Sequence, residues 1–268
     1  MRSWFFLLLT LGLINIAYGQ SQRIISLAPN VTEMLYDIGA GDDVVAVDRD
    51  SDYPVSVKTL PKVDGYTSNS VEAILALNPT LVIGWQGGNS PQLIQSLQRL
   101  GVNVLLVNTL TLADIGKTLQ QLGAATNHIQ SAYQAAEKFQ QQLTQLSQRY
   151  AQQPSHRTVM IELSDHPLYV ATANSLQSQV IQLCGGVNAF QALPGEAQMV
   201  SVESVLQANP QVIIAVTPLS LNDWSQWPEL PAVQSKRMAV IDADLLSRND
   251  PRILQGARQV CEVVAQAK

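Results

Sequence analysis

The feature that most constrains this chain is an internal repeat. Residues 70–83 read SVEAILALNPTLVI and residues 201–214 read SVESVLQANPQVII, sharing S-V-E-x-x-L-x-x-N-P followed by an apolar run. Each copy has the make-up of one small unit: a Ser N-cap, a short helix with a Glu in its positively polarised first turn, an Asn-Pro stop and a buried strand. A unit that recurs with its own strand each time predicts two lobes of similar build.

The rest of the chain agrees. Short β-branched runs recur between helical patterns at Arg23–Leu27, Val44–Val47, Leu81–Gly84 and Val104–Val107, and again at Val159–Glu162, Val212–Val216 and Ala239–Ile241. Strands alternating with helices imply parallel sheets of the α/β class. The first helix opens on Asn30-Val31-Thr32-Glu33, a capping-box-like start, and ends at Gly39; another begins near Asn174-Ser175 and ends at Gly185-Gly186. Between the two groups, Ile129, Tyr133, Ala136, Phe139, Leu143, Leu146 and Tyr150 recur by threes and fours, with Gln and Ser on the other face. This predicts an amphipathic helix of about twenty residues, about 30 Å long, ending at Gln152-Gln153-Pro154. An ordinary surface helix would have the same pattern. Because strand-helix alternation restarts after it, we expect a bridge at 127–153 between an N-terminal lobe, 20–126, and a C-terminal lobe, 154–268.

Residues 1–19 read as a cleaved signal peptide: Arg2, then an apolar run from Phe5 to Ala17, then Ala17-Tyr18-Gly19 at the cleavage point. The run is too short to span a bilayer and no cysteine stands near the cut to carry a lipid. The mature chain is therefore expected to be soluble and outside the cytoplasm. A net charge of −5 argues against nucleic acid or an anionic membrane as partner and favours a neutral or weakly charged ligand. In an oxidising compartment Cys184 and Cys261 either form one disulfide closing a long loop or remain as two buried thiols; their spacing does not suit a metal.

No nucleophile elbow, P-loop, dinucleotide fingerprint or zinc-protease helix is present, and His128, His156 and His166 are scattered singly. The chain is not expected to be an enzyme, nor to carry a resident cofactor or metal. His166, in Ser164-Asp165-His166-Pro167, is the one histidine placed where it could face a cleft. Open α/β sheets bind ligands beyond the carboxyl ends of their strands. That rule points to Trp85-Gln86-Gly87-Gly88-Asn89 after the strand ending at Gly84, to Asp50-Ser51-Asp52-Tyr53-Pro54, and to Tyr66. In the second lobe it points to Tyr169, Asp244 and Arg248. Trp85 suits either a buried core or a flat ligand face. Aromatics with a few polar groups across a cleft fit a large ring system with polar fringes.

These residues resemble a known family. Arg23-Ile24-Ile25-Ser26-Leu27-Ala28-Pro29-Asn30 with Thr32-Glu33, Ser51-Asp52-Tyr53-Pro54, Leu81-Val82-Ile83-Gly84-Trp85 with Gly87-Gly88-Asn89, Cys184-Gly185-Gly186 and Pro251-Arg252-Ile253 are similar to the periplasmic vitamin B12-binding proteins. These are helix-bridged substrate-binding components of ABC importers. The resemblance implies a monomer of two α/β lobes that holds cobalamin in the cleft, as cargo, and delivers it to a permease and its ATPase at the inner membrane. It implies ligand contacts from Pro29, Asn30, Asp50, Tyr66, Trp85 and Gly88 in the first lobe, and from Tyr169, Asp244 and Arg248 in the second. It pairs Cys184 with Cys261, and it places a docking carboxylate on each lobe, Glu72 and Glu203, in the two copies of the repeat. Asp50 stands where the family has a cleft tyrosine, and Ala197 falls near its cleft tryptophan; Tyr66 and Tyr169 replace a Trp and a Phe. Heme or a ferric siderophore is the alternative cargo on the same fold, and would favour more cleft arginines.

Overall fold

A computed structural model describes residues 22–67, 70–151, 155–217 and 224–265. The expected signal peptide and the expected helix stop at 152–154 lie outside them.

The first lobe is built on β1 (Ile24–Ser26), β2 (Val44–Asp48), β3 (Lys62–Val63), β4 (Leu81–Trp85) and β5 (Val104–Val107), in the order β3-β2-β1-β4-β5 and parallel throughout. Alternate residues of a strand face opposite sides, so near-continuous apolar runs bury both. Ile24, Val44, Val47, Leu81 and Ile83 pack on one side against α1 (Pro29–Asp37) and the helices that follow β5. Ile25, Ala46, Val63 and Val82 pack on the other against α2 (Val71–Ala76) and α3 (Pro91–Arg99). The chain runs outward from β1 to β3 and then returns to β4 beside β1, which makes the gap between β1 and β4 the switch point where such sheets bind ligands.

Two helices follow. α4 (Leu112–Thr126) opens with a complete capping box between Thr111 and Asp114 and stops at Asn127 in the left-handed conformation. α5 (Ile129–Ala151) runs on for 23 residues, about 34 Å at about 1.5 Å per residue. Its buried face is divided. Ala132 and Ala136 belong to the first lobe's core, while Phe139 and Leu146 belong to the second's. The expected bridge is present, and α4 adds to it, since Leu112 and Ile115 enter the second core while Leu119 and Leu122 stay in the first. The sequence placed Ile129 and Tyr133 on the apolar stripe, yet they are 54% and 57% exposed. Close approach to α4 explains the shift: a Cβ on Gly123 would lie 2.2 Å from that of Ala132, so small residues make this crossing.

The second lobe contains β6 (Thr158–Asp165), β7 (Leu168–Ala171), β8 (Val187–Asn188), β9 (Ala197–Met199), β10 (Val212–Ala215) and β11 (Met238–Val240), in the order β11-β10-β6-β7-β9 with β8 pairing to β6. Strands β11, β10, β6 and β8 run parallel; β7 and β9 add antiparallel pairs. This sheet is therefore mixed where parallel strands were expected. The cause is local: only His166 and Pro167 separate β6 from β7, and a parallel return needs a crossover of about a dozen residues. α6 (Leu176–Leu183), capped by the Ser175 side chain, and α7 (Val202–Ala208) pack in this lobe with two short helices, Pro231–Gln234 and Ala243–Leu246, and a C-terminal helix, Ile253–Ala265.

The repeat takes the helix-to-strand form expected of it, except that of the two expected Ser caps only Ser201 forms, accepting the Ser204 N–H, while Ser70 makes no side-chain cap bond. α2 and α7 each end at an Asn with positive φ, Asn78 at 48° and Asn209 at 50°, and lead into β4 and β10, each paired to the first strand of its lobe. The capping box expected on α1 does not form. Its N-cap is Ala28, the Thr32 hydroxyl lies 2.8 Å from Ser26 Oγ, and Glu33 turns away to the other lobe.

Cys184, at the end of α6, is bonded to Cys261 of the C-terminal helix across 77 residues, within the second core. Replacing both cysteines with alanine is expected to lower the free energy of unfolding by about 2–5 kcal/mol, since the bridge restricts a long loop in the unfolded chain. Matched denaturant titrations of the two proteins check this, and coincident midpoints would contradict it.

Candidate functional site

The crevice lies where the carboxyl ends of the two sheets face each other. In the first lobe its frame is held by one side chain. Asn89, 7% exposed, accepts the N–H of Trp85 through Oδ1 at 2.6 Å and donates through Nδ2 to the carbonyls of Leu27 at 2.7 Å and Gly65 at 3.0 Å. It fastens together the loops after β1, β3 and β4. Asn89 thus serves the frame, although the sequence grouped it with the ligand-facing loop. Gly88 seats the Trp85 ring, since a Cβ there would lie 2.2 Å from it, and Gly65 has no room for a side chain beneath Leu27 O. Buried Asp48 shapes the next loop by accepting the N–H groups of Asp50 and Gly65, and Ser51 Oγ lies 2.9 Å from Thr32 Oγ1.

Trp85 is half-buried at the mouth of a recess of about 200 Å³. Its walls are Thr109 and Leu110 from the first lobe and Leu163, Asn174, Leu176, Gln177, Glu196, Ala197, Ser247 and Asn249 from the second. Ala197 therefore faces Trp85 across the cleft. Cross-strand register puts Tyr169 opposite Met199, on the same face of the β7–β9 pair as Ala197. Tyr169 is 38% and Met199 63% exposed, so an apolar side chain missed in the sequence stands beside the missing tryptophan. Tyr66 is exposed near Asp48, Asp50, Asp64 and Arg248; partial burial and the three carboxylates push its phenol up to about 12, keeping it a hydrogen-bond donor. Pro29 and Asn30 open α1 at the switch point, and Asn30 Nδ2 is buried with no hydrogen-bond partner among the described residues.

The lobes are joined at the mouth by ions. Arg248 Nη1 meets Glu33 Oε1 at 2.5 Å, and its Nη2 meets Asp52 Oδ1 at 2.8 Å and Asp244 Oδ1 at 2.9 Å. Arg252 Nη1 meets Glu33 Oε2 at 2.9 Å while its guanidinium lies 4.1 Å from the Tyr53 ring centroid. Glu33 and Asp52 belong to the first lobe, the arginines to the second. Burial works against the Arg248 charge, yet the hydrogen bonds of Glu33 and Asp52 raise its pKa above arginine's ordinary value. Asp244 and Arg248, expected to face the ligand, are thus engaged with protein. Polar bonds continue the seam: Gln179 with Leu110 O and Leu112 N, and Asn249 with Thr109 O. Nothing in the sequence marked Glu33 as an interlobe residue, because its partners follow it by more than two hundred positions.

Other expectations fall elsewhere. Glu72 and Glu203 are exposed in the first turns of α2 and α7, away from the recess, and the Ser201 hydroxyl and backbone hold Glu203 below its ordinary pKa. His166 sits in the β6–β7 turn, pairs with Asp165 at 3.6 Å and borders a separate small cavity of about 90 Å³. Trp224 is buried and donates to Glu162 at 2.5 Å; Trp227 packs in the same cluster, so both serve the core. A groove of about 440 Å³ runs between α5 and the C-terminal helix, but it lacks the strand-end loops apart from Tyr53. Among the described residues no helix is long and apolar enough to cross a membrane.

Comparison with known proteins places this geometry. Residues 24–245 match the family described as periplasmic binding protein. The chain is 35% identical over 257 residues to the vitamin B12-binding protein of Yersinia pestis (strain Pestoides F), covering 96% of this chain and 91% of that one. The crystal structure of the periplasmic vitamin B12 binding protein BtuF of Vibrio cholerae matches with a TM-score of 0.84 and 35% identity, covering 91% of this chain and 96% of that one. The periplasmic heme binding protein HutB of Vibrio cholerae matches with a TM-score of 0.80 at 25% identity, covering 92% and 100%. The chain belongs to the periplasmic binding protein family and, within it, groups with the vitamin B12-binding proteins.

Proposed function

We propose that this protein captures cobalamin in the interlobe cleft and delivers it, chemically unchanged, to an ABC transporter permease and its ATPase at the inner membrane. The carrying observation is the make-up of the recess: the Trp85 face opposite a wall that carries the amides of Asn174, Gln177 and Asn249, the last two each spending one N–H on a backbone carbonyl, of Leu246 and of Thr109. A corrin is a broad apolar ring fringed with amides, and this pairs apolar face with face and amide with amide. The orphan donor of Asn30 fits the same account, since a buried unpaired N–H costs about 1–3 kcal/mol and a ligand acceptor would relieve it. Pro29, Gly88, Asp50, Tyr66 and Tyr169 complete the contact set, with Asp244 and Arg248 at the rim. The recess is smaller than the about 300 Å³ of ordinary ligand pockets, so the lobes part to admit a macrocycle.

On this reading residues 1–19 are a signal peptide removed on export, the mature protein works as a soluble periplasmic monomer, and the lobes divide at 126/127 and 153/154. The exposed carboxylates of Glu72 and Glu203, repeated at equivalent places on the two lobes, supply the docking points for the permease.

Calorimetric titration of the mature protein with cyanocobalamin is expected to give one-to-one binding, with hemin and a ferric siderophore giving none. Heat from hemin or the siderophore alone would overturn the cargo assignment. Trp85→Ala is expected to weaken cobalamin binding about 10- to 100-fold, the loss of one buried aromatic face; an unchanged affinity would remove Trp85 from the site. Reversing both docking charges, Glu72→Lys with Glu203→Lys, should abolish stimulation of the reconstituted transporter's ATPase while cobalamin affinity stays the same. Full stimulation by that variant would rule the pair out as docking points.

A further inference from the structure

We infer that Glu33 sets the charge of the cargo: by holding Arg248 and Arg252 it makes the cleft select a neutral, amide-fringed ring over one bearing carboxylates. The inference rests on the interlobe cleft being the binding site.

A guanidinium free at a cleft mouth is the side chain best shaped to grip a carboxylate, two N–H donors to two oxygens. Arg248, between the recess residues Ser247 and Asn249, and Arg252, one turn further on, stand in the seam beside the recess, and both are occupied. Glu33 uses one oxygen for each, at 2.5 Å and 2.9 Å. Asp52 and Asp244 take further donors of Arg248, and the Tyr53 ring covers Arg252. The ion-paired cluster therefore sets three carboxylates against two guanidiniums, with Lys58 near Asp52, and Asp48 and Asp50 stand beside Tyr66 on the same side, where Asp64 is paired with Arg49. A carboxylate arriving with a ligand has to displace Glu33 or accept the repulsion of this group. Displacement is opposed once the lobes close, because Glu33 is then 2% exposed on α1 and has no solvent to turn into. An amide meets no such penalty and still finds the remaining Arg248 N–H groups and Asp244. The first-lobe position of Glu33 matters too, since the arginines it neutralises belong to the opposite lobe.

The test compares two ligands on one skeleton: cyanocobalamin, and the derivative in which its peripheral amides are hydrolysed to carboxylates. The wild-type protein is expected to prefer the amide form by about tenfold or more, and Glu33→Gln, which keeps the shape and removes the charge, is expected to cut that preference about tenfold by gaining affinity for the carboxylate form. A looser join between the lobes would weaken both ligands alike and leave the ratio unchanged, so the ratio isolates charge. Asp52 is 48% exposed, so Asp52→Asn is tolerated by the fold and should move the ratio the same way by about threefold. An unchanged ratio in folded Glu33→Gln, or in Asp52→Asn should the first variant not fold, overturns the inference. If the wild-type protein binds neither corrinoid, the cobalamin reading fails instead. Protoporphyrin IX, a dicarboxylate macrocycle, then takes their place, and the charge assignment falls if these variants gain no affinity for it.

Discussion

The arrangement of this protein depends on one helix being buried in two cores at once. Ala132 and Ala136 of α5 are packed in the first lobe, Phe139 and Leu146 in the second, and α4 repeats the division with Leu119 and Leu122 against Leu112 and Ile115. Packed interiors tolerate little rearrangement, so neither lobe can rotate far without pulling a side chain out of a filled site. The hairpin thus fixes both the separation of the sheets and the direction in which their carboxyl ends face. Movement that remains is bending of the helices about their shared face, which opens the cleft by a small angle.

The cleft side is joined by a different kind of force. Hydrogen bonds and ion pairs there exchange readily with water or ligand, whereas the apolar hinge does not. A buried ion pair contributes little net stability compared with a hydrophobic contact, but removing one partner leaves a charge stranded and costs about 3–5 kcal/mol. The group around Glu33 therefore acts as a specification of how the lobes meet and of which charges the mouth presents, more than as glue. Asp250 fits that environment: burial, with the field of Glu33 added, pushes its carboxyl well above the ordinary range.

Much of this was legible in the sequence because it is local. Helix-strand alternation, the Asn-Pro stops at Asn78 and Asn209, the Ser175 cap and the long α5 all follow from residues close together in the chain. Placement of Trp85 and Ala197 at the cleft followed from the strand-end rule and the family resemblance. What stayed hidden depends on distant partners. Glu33 looked like half of a capping box because the box needs only its neighbours, while Arg248 and Arg252 lie across the fold. Asn89 looked like a loop residue because two of its three backbone partners, Leu27 and Gly65, belong to other segments. The antiparallel strands β7 and β9 were missed because runs of four and three residues carry little periodic signal, and the start of the buried line of α5 was misplaced because small residues decide it there.

The side chain of Asn89 has a consequence for how such a protein can change over generations. It holds three loops by their main chains, so the frame of the cleft is indifferent to which side chains those loops display. Substitutions in these loops are therefore unequal: exposed Tyr66 can be exchanged without disturbing the frame, whereas exchange of Asn89 would release the loops themselves. A change in the side chains displayed around the cleft therefore need not bring a change of scaffold with it.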